Sequence, residues 1–392
     1  MDFSYTGIWY YFILIVIFVL FADFFVSKLP FYKKVLNEDE KGRFESLDGL
    51  RGILALNVFF QHAMTSWFYF HTGVWEIVNI RFYIHLGGEA VILFLIMTSF
   101  LYWSKMIAQK GEVDEGYLYR SRFLRLAPMY IFCAGLIVLS ILIQSHFHLD
   151  FKQTAKDILS WLTVGLITTQ SVNHVSVLPV NAGIHWTLHF EWFFYLMLPI
   201  LAIFLRNKNM IVLALPLVFY ALSSDDRGYW AIFFFGIMAA HIYNTYPNLK
   251  FFDKRVADVI PIIGVVIIYF LNYKPYSFSQ YFISMGVFLC FVYGADIFGF
   301  LKTLVAKFLG TLSYSIYLIH GIVLYGVLNT IDYFHPIVSL NPVAYWSFIT
   351  LAGILTIVVS SVTYRYVEYP FIQMIKHGKP RSTINGMADK IM

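Results

Sequence analysis

The stretch SLDGLRGILALNVFFQHA, residues 46–63, places two ionisable residues in an apolar helical pattern. Arg51 stands near its start and His62 eleven residues later. Eleven residues turn an α-helix through about 1100°, so both side chains lie on one face. The rise between them is about 16 Å, half of a hydrocarbon core of about 30 Å. The spacing therefore predicts a membrane helix with Arg51 at the cytoplasmic interface and His62 near the midplane.

Each of these two residues also has a purely structural interpretation. A buried histidine can hydrogen-bond across a helix interface as packing glue, and an interfacial arginine can simply anchor its helix. An ionisable residue near the midplane is costly, however, and by default marks a functional site. Because they share one helix face, the two residues together predict a site in which Arg51 binds an anion at the cytoplasmic mouth and His62 acts as an acid–base group near the midplane.

The composition of the whole chain is that of a polytopic membrane protein. Of its 392 residues 59% are hydrophobic and only 13% are charged, and the mean hydropathy is +0.68. A soluble domain of this length carries far more surface charge. Repeated apolar runs of about 18–24 residues are long enough to cross a bilayer. We therefore predict an all-α polytopic membrane protein.

The net charge of +5 comes from short basic loops, which we assign to the cytoplasm by the positive-inside rule and not to a nucleic-acid partner. This topology has an extracytoplasmic N-terminus and a cytoplasmic C-terminus. Segment 157–170 is too short to span and is predicted to be re-entrant or interfacial. About eleven spanning helices are predicted near 7–27, 49–69, 84–104, 127–146, 185–205, 209–222, 228–245, 258–272, 278–299, 308–330 and 343–364.

A basic loop, YLYRSRFLRLAPMY at 117–130, lies on the same cytoplasmic side. Arg122 and Arg125 are three residues apart at a predicted helix start, with Pro128 in its first turn. Arginine forks bind phosphate in a bidentate manner, and a helix N-terminus adds free N–H groups. With Arg120 they would suit a polyphosphate ligand such as coenzyme A. Anchoring to anionic lipid is the alternative.

Two later helices also carry polar side chains at helical spacing. In HWTLHFEWFFYL, 185–196, Glu191 has Thr187 one turn before it and Tyr195 one turn after. In LGTLSYSIYLIHG, 309–321, Ser313, Tyr317 and His320 form a polar stripe on one helix face, and His320 is a second histidine near mid-depth. Interhelical packing is the alternative role for this stripe.

Other polar residues give weaker signals. Ser99 lies deep in the helix GGEAVILFLIMTSFLYW, and Arg365 and Glu368 are spaced for a structural ion pair. His185 and His189 stand at i and i+4, but no third ligand is evident, so we predict no metal site.

Six blocks, in order and spacing, resemble the acyltransferase family 3 membrane proteins, over roughly residues 45–372. The resemblance implies about ten helices and transfer of an acyl group, usually acetyl from acetyl-CoA, to hydroxyls of cell-surface glycans. Residues 1–44, an extra N-terminal transmembrane helix and a cytoplasmic linker, lie outside the family core, and 373–392 would be a short cytoplasmic tail. The blocks are SLDGLRGILALNVFFQHA, GGEAVILFLIMTSFL, YRSRFLRLAPMY, HWTLHFEWFFYLMLP, LGTLSYSIYLIH and YRYVEYPF.

The resemblance also assigns roles to residues. It makes His62 the essential membrane-embedded histidine and Arg51 its partner at the cytoplasmic mouth. Where the family often has Ser-Gly-Phe, this chain has Ser99 followed by Phe100, which concerns acceptor contacts and not the reaction class. The remaining matches are Arg122 and Arg125 with the acyl-CoA, Trp186 and Glu191 in a Trp…Glu block, and Tyr314, Tyr317 and His320 in a Tyr/His block.

We therefore expect an acetyl-CoA-dependent O-acetyltransferase of a bacterial inner membrane, with no prosthetic group or metal. His62 would be the general base or the acyl-accepting nucleophile, and Glu191 would orient its imidazole. Lipopolysaccharide O-antigen is the favoured acceptor, with capsule or exopolysaccharide as others. The rival functions are a lipid-linked glycan transporter, which the missing internal repeat disfavours, and a non-catalytic subunit of a glycan-assembly complex.

Overall fold

The computed structural model describes residues 7–38, 44–146, 148–167, 169–206, 228–249, 254–271 and 274–378. This part of the chain is almost entirely helical, with one two-stranded antiparallel hairpin, β1 (Ser171–Val172) and β2 (Val175–Ser176). The predicted helix near 209–222 lies outside the described residues. The helices are α1 (Ile8–Ser27), α2 (Pro30–Glu38), α3 (Glu45–Thr72), α4 (Arg81–Ala108), α5 (Glu115–Gln144), α6 (Phe151–Leu162), α7 (Leu178–Asn181), α8 (Trp186–Arg206), α9 (Tyr229–Thr245), α10 (Lys254–Leu271), α11 (Phe278–Val292), α12 (Leu304–Phe334), α13 (Pro342–Thr363) and α14 (Tyr369–His377).

The helix lengths confirm an all-α, multi-pass membrane protein. Within the described ranges, six helical segments are long and apolar enough to cross a bilayer, namely α1, α4, α5, α8, α12 and the continuous α13–α14. The predicted count of eleven is not confirmed. The 28 residues of α3 extend about 42 Å, but polar side chains lower its hydropathy. The helices α9, α10 and α11 have 17, 18 and 15 residues.

Helices α3 and α12 run side by side at a glycine contact. A Cβ on Gly310 would lie 1.8 Å from the carbonyl oxygen of Asp48, and one on Gly52 would lie 2.6 Å from the Cβ of Leu309. Only hydrogen at these positions lets the two backbones come this close, as small residues do in membrane helix pairs. The contact sets the distance between the two helices that carry His62 and His320.

Gly310→Ala is therefore expected to push α12 away from α3 and to lower the melting temperature of the purified protein. Overpacking of this kind destabilises a protein by about 1–3 kcal/mol. Gly326 lies on the same helix, and a Cβ there would have no atom within 4 Å. Gly326→Ala is therefore the matched control. Thermal unfolding in detergent gives the comparison. Equal melting temperatures for the two variants would contradict the close approach.

One end of the bundle, which we call the basic end, holds α2, the α4–α5 connection and α14. The opposite end holds 73–80 and 145–185. There α6 has 12 residues, about 18 Å, too short to span a bilayer, and it begins six residues before the predicted segment 157–170. Its N-cap Asp150 accepts a 3.1 Å hydrogen bond from the backbone of Gln153. That bond and His174 hold the pKa of Asp150 below its usual range.

The N-terminal helix packs on the core and is not separate from it. The Tyr11 hydroxyl donates to Asn57 Oδ1 at 3.0 Å, and the Phe18 ring fills the space beside Gly353. At the other end of the chain, the predicted boundary between core and tail at residue 372 falls inside α14.

Candidate active site

A cavity of about 630 Å³ runs from the basic end into the bundle, between α3, α4, α5, α8, α12 and α14. This volume is typical of small-molecule sites. Thr187 and Tyr317 belong to its deep end. Six basic and four acidic described residues line it, a formal excess of two positive charges. They are Arg51, Lys105, Arg122, Arg125, Lys307 and Lys376, and Glu45, Asp48, Asp114 and Glu191.

The two arginines of the basic loop face the cavity in different ways. The Arg122 guanidinium lies 4.9 Å from the ring centroid of Tyr102 and 5.8 Å from that of Tyr195. Its buried Nε has no hydrogen-bond partner among the described residues. Arg125 instead donates a 2.9 Å hydrogen bond to Glu368 Oε2. Arg122 is thus the one of the two whose donors are less engaged.

The prediction that these arginines stand at a helix start is wrong. The helix α5 begins at Glu115, where the carboxylate of Asp114 accepts from the backbone N–H of Tyr117 at 2.9 Å, and Pro128 lies inside it. The arginines therefore project from the helix wall, beyond the free N–H groups of its first turn. The N-capping aspartate in VDEGYL was the sequence signal for the earlier start.

The predicted ion pair between Arg365 and Glu368 is also wrong. Glu368 contacts Arg125 and accepts from the Ser315 hydroxyl, while Arg365 lies 4.9 Å from the Phe31 ring centroid. Residues Tyr364–Glu368 form a π-helical turn, so the i, i+3 positions no longer lie above one another as in an α-helix.

Two histidines form a hydrogen-bonded pair beyond the deep end of the cavity. His62 Nδ1 lies 2.9 Å from His320 Nε2. The ring centroids are 5.1 Å apart and the planes differ by 19°, so the rings meet edge to edge and nearly coplanar. His320 is fully buried, whereas His62 retains some exposed surface. The Trp75 ring stacks on His62 at 6.4 Å.

The expectation that Glu191 orients His62 is replaced by this pair. Glu191 lines the cavity and accepts a hydrogen bond from the Tyr195 hydroxyl one turn further along α8. The residue in contact with the His62 imidazole is His320, from a helix 258 positions away in the chain.

The pair lies between the cavity and a short segment at the opposite end, residues 178–185. On the cavity side, the Tyr317 hydroxyl is 2.9 Å from Thr187 Oγ1, and the Tyr317 ring centroid is 6.3 Å from that of His320. On the other side, a Cβ at Gly321 would lie 2.8 Å from the backbone nitrogen of Ala182. The pair is thus separated from the cavity by Tyr317 and lies close to the segment 178–185 on the opposite side.

A family model described as an acyltransferase domain matches residues 44–365. The chain belongs to acyltransferase family 3. No curated protein and no solved structure matches it. The matched region runs from the start of α3 to the π-helical turn, so α1, α2 and α14 lie outside the family domain. Ile375 and Lys376 of α14 nevertheless line the cavity of this acyltransferase.

The acyltransferase brings some predicted substrate-site residues to the cavity. Tyr314 lines it and donates to the backbone oxygen of Leu126 at 2.8 Å. Ser313 lies in the wall, fully buried, with no hydrogen-bond partner for its hydroxyl within the described ranges. Arg51 is in the same wall, about 16 Å below His62 along α3.

Three other predicted residues lie away from the cavity. The Trp186 ring is 4.5 Å from that of Tyr229. The Ser99 hydroxyl donates to its own helix, to the Leu95 oxygen at 2.9 Å. Arg120 is exposed on the outside of α5. None of these three residues lines the cavity.

The histidines at 185 and 189 bond to protein groups. His185 Nδ1 lies 2.9 Å from Asn181 Nδ2, and His189 Nδ1 lies 2.9 Å from the Leu166 oxygen. In the described part of the chain, no group of three or more His, Cys, Asp or Glu could hold a metal ion.

Sequence reasoning missed several residues of the site. Tyr102 lies one turn after Thr98 on the cavity face of α4, a spacing that could have indicated it. Trp75 lies in a connection, where no periodicity applies. Lys105 and Lys376 fall in basic segments that the positive-inside rule assigns to the cytoplasm, and both line the cavity.

Proposed function

We propose that this acyltransferase moves an acetyl group from acetyl-CoA to a hydroxyl of a cell-envelope glycan, with His62 as the general base. The O-antigen of lipopolysaccharide is the favoured acceptor, and capsule or exopolysaccharide are the others. The observation that carries the proposal is the His62–His320 pair just beyond the deep end of a cavity with excess positive charge.

The donor would enter from the basic end, which the positive-inside rule assigns to the cytoplasm. Its phosphates would meet Arg122, Lys105 and Lys376 in the cavity wall. Charge-assisted hydrogen bonds of this kind are about twice as strong as neutral ones. The narrow acylated arm would extend past Tyr317 toward His62. This arrangement accounts for basic residues at the mouth and hydroxyl-bearing residues further in.

The acceptor would approach from the opposite end, where Trp75 lies against His62. An indole face is a suitable platform for the apolar face of a sugar ring. In the proposed step, His62 takes the proton of the acceptor hydroxyl while that oxygen attacks the thioester carbonyl carbon. The carbon–sulfur bond then breaks, and the thiolate receives the proton from His62. The products are an O-acetyl ester and free coenzyme A, with no net proton change.

The proposal is tested by mass spectrometry of surface glycans from cells with the wild-type protein, with His62→Ala or without the protein. We expect an acetyl-sized mass increment only with the wild type. Purified protein in liposomes, given radiolabelled acetyl-CoA and the isolated glycan, should reproduce the label transfer. A glycan that moves across the membrane unmodified would favour the transporter, and unchanged acetylation in His62→Ala would favour a non-catalytic role.

Arg122→Gln is expected to raise the KM for acetyl-CoA by about tenfold or more, since a hydrogen bond to a charged group contributes about 1.5–3 kcal/mol. Arg120→Gln is the matched control, because Arg120 lies two residues earlier on α5 but does not line the cavity. Initial rates against acetyl-CoA concentration give both values. A similar KM in the two variants would remove the cavity arginine from the donor site.

Initial-rate kinetics with both substrates varied distinguish the two chemical routes open to His62. Direct transfer predicts intersecting double-reciprocal lines when both substrates are varied. An acetyl-imidazole intermediate predicts parallel lines and label on the protein when the acceptor is left out. We propose the direct route, because it needs one proton acceptor and no second nucleophile.

A further inference from the structure

We infer that His320 is a positioning residue that fixes the tautomer of His62, so that Nε2 of His62 is the nitrogen that takes the proton from the acceptor. This inference rests on the proposed function and adds to it a residue and a specific reacting atom. It is carried by the hydrogen bonds of the two imidazoles.

The first link is the hydrogen bond between His320 and its own helix. His320 Nδ1 lies 3.0 Å from the backbone oxygen of Ile316. A carbonyl oxygen can only accept, so Nδ1 of His320 must carry a hydrogen. In the neutral ring the other nitrogen, Nε2, then has a lone pair and no hydrogen.

The second hydrogen bond, between the two imidazoles, determines the tautomer of His62. Nε2 of His320 faces Nδ1 of His62 at 2.9 Å, and an acceptor there requires a donor opposite it. Nδ1 of His62 therefore carries the hydrogen, and its Nε2 has the lone pair. The backbone oxygen of Ile316 thus determines, through His320, which atom of His62 is basic.

The surroundings of His320 hold it in this orientation. It is fully buried, and its ring has the Phe59 ring at 6.4 Å and the Tyr317 ring at 6.3 Å. Two aromatic neighbours and a backbone hydrogen bond leave the imidazole one arrangement. A half-buried His62 without this contact would exchange between tautomers and rotate, and its lone pair would face the acceptor for only part of the time.

A neutral partner also suits the depth of the site. When His62 takes up a proton, its Nδ1–H still donates to His320, so the cation keeps its hydrogen bond. A carboxylate in the same place would bring a second charge into the apolar interior, with a desolvation cost of several kcal/mol. The pair needs to accommodate one positive charge during the reaction and none at rest.

Substitutions of His320 separate positioning from proton transfer. Glutamine can place its amide oxygen close to the position of Nε2 and accept the hydrogen bond from His62, but its amide group cannot relay a proton. Asparagine is equally polar and too short to reach His62. Leucine removes the acceptor altogether.

We expect His320→Gln to keep kcat within about tenfold of the wild type, and His320→Asn and His320→Leu to lower it by about a hundredfold or more, as loss of oriented general-base catalysis does. The KM for acetyl-CoA should change less than about threefold in all three variants. Each protein is purified, checked by its melting temperature and assayed in liposomes with labelled acetyl-CoA and isolated glycan.

Two outcomes would overturn the inference. Wild-type kcat in folded His320→Asn would show that the contact is dispensable. A folded His320→Gln as inactive as His320→Asn would show that His320 itself carries a proton. If leucine prevents folding, the glutamine and asparagine pair alone decides. Failure of the proposed function is a separate result, because the wild-type protein would then transfer no acetyl group, or transfer would survive in His62→Ala.

Discussion

His62→Ala should lower kcat for acetyl transfer by about 10²–10⁴-fold, through the loss of a general base. The imidazole is the half-buried member of a pair whose other member is fully buried. Substrate binding should persist, because the cavity that would hold the donor does not include His62 in its wall. The KM for acetyl-CoA and kcat are both measured in liposomes.

The control is His71→Ala, which removes the same side chain from the last turn of the same helix. His71 stacks on Trp67 at 3.9 Å and has no part in the pair. We expect wild-type kcat in this variant and a melting temperature for His62→Ala close to that of the control. Transfer at wild-type rate by folded His62→Ala would refute the mechanism.

The second large effect concerns stability. Arg125→Met should destabilise the protein by about 3 kcal/mol, because it leaves the Glu368 carboxylate buried without its cation. The Glu368 side chain is 1% exposed and that of Arg125 is 21% exposed, at a distance of 2.9 Å. The melting temperature in detergent should fall accordingly. Adding Glu368→Gln should restore most of the loss, since a neutral amide no longer needs the pair.

A second ion pair of the cavity provides the control. Lys307 and Glu45 are 3.1 Å apart with side chains 17% and 37% exposed, and a pair this open to water contributes about 1 kcal/mol or less. Lys307→Met should therefore change the melting temperature little. An equally small change for Arg125→Met would indicate that the Glu368 carboxyl is protonated, so that removing Arg125 leaves no unpaired buried carboxylate.

The double variant also separates the two roles open to Arg125. If its stability returns and the KM for acetyl-CoA stays raised, Arg125 contacts the donor as well as Glu368. If both return, the arginine is structural, and Arg122 with the cavity lysines holds the phosphates. The second result is the expected one, since the Arg125 guanidinium already donates to a carboxylate.

The amino-acid sequence alone is enough to predict the membrane class, the helix that carries Arg51 and His62, and the family. These conclusions depend on properties that repeat along one helix, namely apolar length, side-chain periodicity and the order of motifs. It also picked out His320, Tyr317 and Glu191 as unusual polar residues in apolar helices. These residues stand out in the sequence because burying a polar group within a membrane helix is costly, so such residues are rare there.

Which of these residues contact one another is seen from the packing of the helices and not from the sequence. The pairing of His62 with His320, of Arg125 with Glu368, and of Tyr317 with Thr187 joins helices far apart in the chain. Helical periodicity gives the face on which a side chain lies but carries no information about the neighbouring helix. That neighbour is set by backbone contacts such as Gly52 with Gly310, and by local departures from α-helical geometry at the π-helical turn.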